Sequence, residues 1–207
     1  MIKKWIKILF WTLLRKTNYG KMIIETQNNQ TPVTVGILIF QKLLRINAQA
    51  YWPMSYKSTV VAAHNIYVGI DSSPGYSPGC YIQGGGKLYI GNYTQIGPNV
   101  GLISSNHSIY NNSEKVGKIT FIGDYCWIGM GAIVLPGVEL GDFTIVAAGS
   151  VVTKSFKEGY CVIGGNPAKM IKILDRDLCV RYQVEHKYNG YVRSEEFESF
   201  KASFFKN

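Results

Sequence analysis

Residues 122–152 read IGDYCWIGMGAIVLPGVELGDFTIVAAGSVV. Ile122, Ile128, Val134, Leu140, Val146 and Val152 recur at every sixth position, with Gly following at 123, 129 and 141 and Ala at 147. Four residues after the first five of these aliphatics stand Cys126, Ala132, Val138, Thr144 and Ser150, all small or β-branched. A period of six is neither the 2.0 of a strand nor the 3.6 of a helix. Its physical solution is a three-sided coil. Each hexapeptide makes one short flat face and one corner, and three hexapeptides complete a turn. Successive turns hydrogen-bond as parallel strands. The aliphatic points inward, and the small residue fits where the chain turns.

Upstream, Ile90-Gly91 and Ile96-Gly97 start the same pattern, with Thr94 and Val100 at the small positions. Val60 and Ile66 lie in the same phase, with weaker units between. The phase breaks once within the clear repeats: Leu102 and Ile122 are 20 residues apart, not a multiple of six. Residues 103–121, ISSNHSIYNNSEKVGKITF, therefore hold a loop that leaves the coil. A long loop interrupting a rigid scaffold is where function concentrates. The coil is expected to span residues 59–165. An N-terminal helical region, 1–58, precedes it, with Gly36–Ala50 as a helix ended by Pro53. An extension, 166–207, follows, with EEFESFKASFFKN helical.

Composition agrees with a coil. Of 207 residues, 22 are Gly and only 17% are charged, against about a quarter in a typical soluble domain. An aliphatic-filled coil needs Gly at its corners and few charges. Lys and Arg outnumber Asp and Glu by 22 to 13, a net +9, which points to an anionic partner. Nucleic acid is disfavoured, because no stacking-plus-basic motif accompanies the charge. Cys80, Cys126, Cys161 and Cys179 form neither a zinc nor a disulfide spacing and read as thiols in a reducing cytosol. Residues 1–16, MIKKWIKILFWTLLRK, are too short to span a bilayer and lack a cleavage site. As a helix they carry Ile2, Trp5, Ile6, Leu9 and Leu13 on one face and cations around it. That pattern suits packing on the protein itself or a peripheral seat on an anionic membrane surface.

Two features carry chemistry. His107 lies in the out-of-phase loop between Asn106 and Ser108, and an imidazole suits general-base work near neutrality. Lys154, Lys157, Lys169 and Lys172 read as a basic cluster after the best repeats, with Lys169 and Lys172 on one face if the segment is helical. Such point charges suit ligand phosphates, and equally a solvated surface. Catalytic zinc is disfavoured, since it takes about three His ligands and the coil region offers His64 and His107.

The repeat, the loop His and GGNPAKMIK at 164–172 together resemble the hexapeptide-repeat acyltransferases, left-handed parallel β-helices. More narrowly they resemble the maltose, galactoside and capsular-polysaccharide O-acetyltransferases. GYSPGCYIQGG at 75–85, IGPNVGLISSNH at 96–107 and VVTKSFKEGYCVIGGNPAK at 151–169 carry the capsular likeness. The resemblance implies acetyl-CoA as donor, no metal, a saccharide acceptor and a homotrimer with sites between coils. With the thiol reading it gives a cytoplasmic enzyme, to be found at the inner face of the membrane if residues 1–16 seat on lipid rather than on the protein. It implies His107 as base; Glu114, in the same loop, is taken as its orienting group. Asn106, Ser108, Ser77, Gln83 and Trp127 are expected at the acceptor. Gly129, Gly131, Ala132, Ala147, Ala148, Thr153, Lys154, Pro167, Lys169 and Lys172 are expected along the cofactor. The chain departs from the family where Ser77, Cys80 and Gln83 replace an Asn-rich segment, and where Ser108 replaces an acidic residue after the His. Amino-sugar N-acetylation and a non-enzymatic scaffold are the alternatives.

Overall fold

The computed structural model describes residues 16–205. The helix read over residues 1–16 lies outside them, apart from Lys16. From Thr59 the chain winds as a triangular coil with three parallel faces. The first face stacks Thr59–Val61, Tyr81–Gln83, Gly101–Ile103, Ile133–Val134 and Val151–Val152. The chain then crosses to the face here called the third, which holds Ile66–Val68, Lys87–Ile90, Ile119–Ile122 and Glu139–Leu140. It continues to the second face, which holds Gln95–Ile96, Trp127–Ile128, Thr144–Val146 and Cys161–Gly165.

Each face contributes one inward column. Val60, Ile82, Leu102, Val134 and Val152 stack in register on the first face. Val68, Ile90, Ile122 and Leu140 do so on the third, and Ile96, Ile128, Val146 and Ile163 on the second. Ile82, Leu102, Ile122, Ile128, Leu140 and Ile163 are wholly inaccessible. Burial of this kind contributes about 25 cal/mol per Å² of apolar surface and is the main force holding the coil.

The single phase break expected from sequence is one of several. From the first face to the third, the inward column advances eight residues from Val60 to Val68 and eight from Ile82 to Ile90. It advances twenty from Leu102 to Ile122 but only six from Val134 to Leu140. The column partner of Ile90 is therefore Val68, not Ile66. The excess falls at one corner each time. Asn65 and the glycines 84–86 fill it in the early turns, and there an added Cβ on Gly86 would lie 2.5 Å from the Ser104 carbonyl oxygen. The loop thus emerges where the coil is already widened.

The N-terminal segment is less helical than its sequence suggests. Thr17 and Thr34 cap short helices at Asn18–Glu25 and Val35–Leu38, and a single wide turn, Ile39–Leu43, ends the second one well before Ala50. The reason is Gln41, fully buried. Its amide nitrogen donates to the carbonyls of Asn47, Ala50 and Trp52, and its oxygen accepts from Met54 N–H and the Tyr191 hydroxyl. The chain after Leu43 wraps around that amide.

Residues 166–205 are built onto the coil. Ala168–Ile173 pairs antiparallel with Cys161–Gly165 and extends the second face. Lys169 and Lys172 therefore sit on a strand, not on one face of a helix. The helix Phe197–Phe204 is as the sequence suggests, and its Phe197 enters the main core with Tyr51 and Trp52. Arg193 meets Glu25, joining the tail to the N-terminal segment.

Candidate active site

The loop is an antiparallel hairpin, Ser105–His107 against Lys115–Gly117. Its foot is clamped by Gln83. The Gln83 side-chain oxygen accepts from Ser105 N–H at 3.0 Å, the Ser105 hydroxyl at 3.1 Å and Ser104 N–H at 3.3 Å, while its nitrogen donates to the Ser105 carbonyl at 3.3 Å. Expected at the acceptor, Gln83 instead spends its amide on the hairpin.

His107 is exposed, with Nδ1 2.5 Å from the Asn112 carbonyl oxygen. A carbonyl only accepts, so Nδ1 is the donor in this contact, and in the neutral ring Nε2 is the nitrogen that carries the lone pair. Glu114 is not the orienting group: its carboxylate takes a hydrogen bond from Asn111 Nδ2 at 2.8 Å, shaping the hairpin tip. The Ser108 hydroxyl accepts from Tyr110 and Asn111 N–H at 3.3 and 3.4 Å, so it too serves the tip. Asn106 pairs opposite Val116 and, by strand alternation, projects from the other face of the hairpin than His107. At the tip, Ile109 and Tyr110 are 89% and 94% exposed.

The remaining expected residues lie elsewhere on the coil. The hairpin leaves the corner between the first and third faces, and Trp127 stands on the second face, opposite that corner. Trp127 is half exposed and borders a cleft of about 300 Å³ with Ser77, Gln95, Tyr76, Gln30 and Thr31. Ser77 uses its hydroxyl to donate to the Ile96 carbonyl at 2.8 Å. Four of these lining residues were not singled out from sequence. Gln95 had a signal, since it occupies the repeat position of Trp127 one turn earlier. Gln30 and Thr31 had none: their backbone N–H groups are held by the Asp71 carboxylate, some forty residues distant, at 3.1 and 3.2 Å. Burial pushes the Asp71 carboxyl up despite those bonds.

Along the corner between the second and first faces the glycines and alanines stack turn on turn. Gly129 N–H donates to the Val146 carbonyl and Ala147 N–H to that of Ile163. Gly131 and Gly149 both turn at φ +69°, and an added Cβ on Gly149 would meet nothing within 4 Å. Bare backbone with open space beside it fits a long extended ligand. Ala148, Pro167 and Lys169 are exposed on this edge, and Lys169 pairs with Gly164. Ala132 is buried and its N–H already bonds to the Gly129 carbonyl, so it supports the corner from inside.

The basic cluster is dispersed on one chain. Thr153 and Lys154 lie beyond the first face, and Lys154 Nζ sits 5.6 Å from the Phe156 ring centre. Lys157 pairs with Glu139 at 2.7 Å, and Lys172 lies opposite Val162 on the second face. No group of three or more His, Cys, Asp or Glu side chains gathers among the described residues. No helix among them is long and apolar enough to cross a membrane.

These features define a left-handed parallel β-helix of hexapeptide repeats. The family model for bacterial transferase hexapeptide (six repeats) matches residues 119–154. The chain is similar to the hexapeptide-repeat transferases, and among them the likeness runs to sugar O-acetyltransferases. A galactoside O-acetyltransferase from Lactococcus lactis is 34% identical over 94 residues, covering 44% of this chain and 45% of that protein. The crystal structure of a maltose O-acetyltransferase from Clostridium difficile 630 is 27% identical, with a TM-score of 0.56 over 79% of this chain and 89% of that one. A galactoside acetyltransferase in complex with coenzyme A shares the fold at 21% identity and a TM-score of 0.59, over 83% of this chain and 90% of that one. The chain spans about half the length of the curated relatives it matches.

Proposed function

We propose that the protein transfers an acetyl group from acetyl-CoA to a hydroxyl of a saccharide, as a homotrimer with its active sites between neighbouring coils. One observation carries this reading: an exposed imidazole on a clamped hairpin, with Nδ1 held by the Asn112 carbonyl and Nε2 left as base. His107 takes the proton of the acceptor hydroxyl as its oxygen attacks the thioester carbonyl. The new C–O bond forms, the C–S bond breaks, and His107 returns the proton to the departing sulfur. Backbone N–H groups of the adjoining coil are the donors for the transient oxyanion. General-base help of this kind contributes about 10²–10⁴ in rate. Burial pushes the Cys126 thiol up to about 12, which leaves it a poor nucleophile and favours direct transfer.

The geometry of one coil supports an assembly of this kind. His107 and Trp127 stand on opposite sides, so a single chain cannot close both on one ligand. A second copy with its second face beside the hairpin can, and it would also cover Ile109 and Tyr110. Trp127, Ser77 and Gln95 then line the acceptor cleft. The bare corner at Gly129–Gly131 and Ala147–Gly149 receives the pantetheine arm. Lys154, Lys169 and Lys172, from neighbouring copies, meet the phosphates. The buried thiols Cys80, Cys126 and Cys161 fit a cytoplasmic enzyme, with residues 1–16 as a peripheral contact at the inner face of the membrane. The test is mass spectrometry of acetyl-CoA reactions with a panel of saccharides. An O-acetylated sugar with release of CoA is expected. Acetylation confined to amino groups, or none at all, would contradict the proposal.

A further inference from the structure

A second cavity, of about 320 Å³, opens on the third face beside the first two turns. Tyr67 and Tyr89 form its wall from successive turns in register, their rings 5.9 Å apart and tilted by 38°. That tilt leaves no parallel slot for a flat base. Lys87, His64 and Asn65 enter from the corner between the first and third faces, and Lys201 enters from the C-terminal helix. Lys201 Nζ lies 5.4 Å from the Tyr67 ring centre and pairs with Glu198 at 2.5 Å. Lys87 is exposed and has no ion-pair partner among the described residues. Among the described residues no acidic side chain lines the cavity. With Phe205 also at its edge, the lining therefore offers aromatic faces and, at Lys87, unneutralised positive charge.

This chemistry suits a sugar acid. The C–H groups of a sugar ring carry partial positive charge and settle on the negative face of an aromatic ring. A lysine ammonium binds a carboxylate as a point charge. The cavity also lies at the foot of the His107 hairpin. Lys87 N–H donates to the Lys118 carbonyl at 3.2 Å, and Gly86 N–H donates to the Ser104 hydroxyl at 3.0 Å. Ser104 and Lys118 are the residues at which the hairpin strands join the coil.

We infer that this cavity is an auxiliary acceptor subsite, holding an acidic residue of an oligosaccharide or polymer that is acetylated elsewhere along its length. It rests on the acetyl-transfer reading and narrows the acceptor to acidic saccharides. The experiment uses the full chain and two tetrasaccharides of equal length, one built of uronic acids and one of neutral hexoses. Binding is measured by calorimetry for the wild type and for Lys87→Met, which keeps the aliphatic stem and removes the charge. Acetyl transfer to a monosaccharide is followed in parallel. The acidic ligand is expected to bind about tenfold tighter or more than the neutral one. Lys87→Met is expected to abolish that preference and leave monosaccharide transfer unchanged. Equal affinities, or an undiminished preference in Lys87→Met, would overturn the subsite. If transfer fails on every saccharide while the acid preference and its loss in Lys87→Met persist, the subsite stands and the catalytic reading falls. If transfer succeeds without an acid preference, the subsite alone falls.

Discussion

Replacing Gln83 by Leu keeps the bulk of the side chain and removes the amide that clamps the hairpin. Ser104 N–H retains a second acceptor in the Gln83 backbone carbonyl at 3.1 Å, so its lost bond counts for little. Ser105 N–H and the Ser105 hydroxyl lose the oxygen they reach at 3.0 and 3.1 Å, in a residue only 4% exposed. The bond from the Gln83 nitrogen to the Ser105 carbonyl is long, 3.3 Å, and adds little; at about 1 kcal/mol for each of the two shorter bonds the clamp contributes about 2 kcal/mol. The loss is local, because the hairpin strands lie outside the core columns. It lowers the free energy of opening the hairpin and barely touches global unfolding. About 2 kcal/mol corresponds to about thirtyfold faster amide exchange. Hydrogen exchange followed by mass spectrometry reads this directly on peptides spanning 104–118, with coil peptides as internal standard. Acetyl-transfer kinetics supply the second readout. A catalytic group displaced by about 1 Å costs on the order of 10² in rate, so kcat should fall while the saccharide KM holds. Unchanged exchange together with a raised saccharide KM would refute the reasoning and return Gln83 to the acceptor site.

Gly129→Ala should be much worse for stability than Gly149→Ala. The first Cβ would sit 2.7 Å from both Ala148 N and the Val146 carbonyl oxygen, which are backbone and cannot yield, costing about 3 kcal/mol. The second meets only the strain of φ +69°, about 1 kcal/mol, and equal urea midpoints would contradict this. Burial tends to raise the Glu25 carboxyl, but hydrogen bonds from Tyr188 and Arg193 outweigh it and hold it below its ordinary 4.5. A carboxyl lowered on folding adds stability above its unfolded pKa and loses it as pH falls through the folded value. As pH falls below about 4.5 the wild type should therefore lose more stability than Glu25→Gln. Parallel denaturation profiles would contradict it. Iodoacetamide at about pH 8 should label half-buried Cys179 and spare Cys80, Cys126 and Cys161, whose thiols burial pushes up. Labelling of Cys126 in the folded protein would count against the buried column.

The later coil was legible because one residue in six is forced inward, and a period so strict admits one geometry. The early turns were less so: their extra residues fall at a single corner, where Gly84, Gly85 and Gly86 carry no inward side chain to keep the phase. The protruding loop was legible from the same periodicity, by its failure, but its hairpin pairing was not. What orients His107 was not, because its partner is a backbone carbonyl at Asn112, and backbone groups are the same in every residue. Glu114 looked apt by charge but turns to Asn111. Lys169 and Lys172 suggested a helical face because the antiparallel return onto Cys161–Gly165 is a tertiary pairing. Gln41 shows the same limit. A polar residue inside an apolar run reads as one face of a helix until the chain that wraps around it is known.

Loss of the His107 imidazole tests the central claim most directly. In His107→Ala the hairpin clamp and the coil remain, and only the imidazole is removed. Acetyl transfer to a saccharide accepted by the wild type should fall by about 10²–10⁴, with the sedimentation profile and melting temperature unchanged. Near-normal acetylation by His107→Ala would contradict the account.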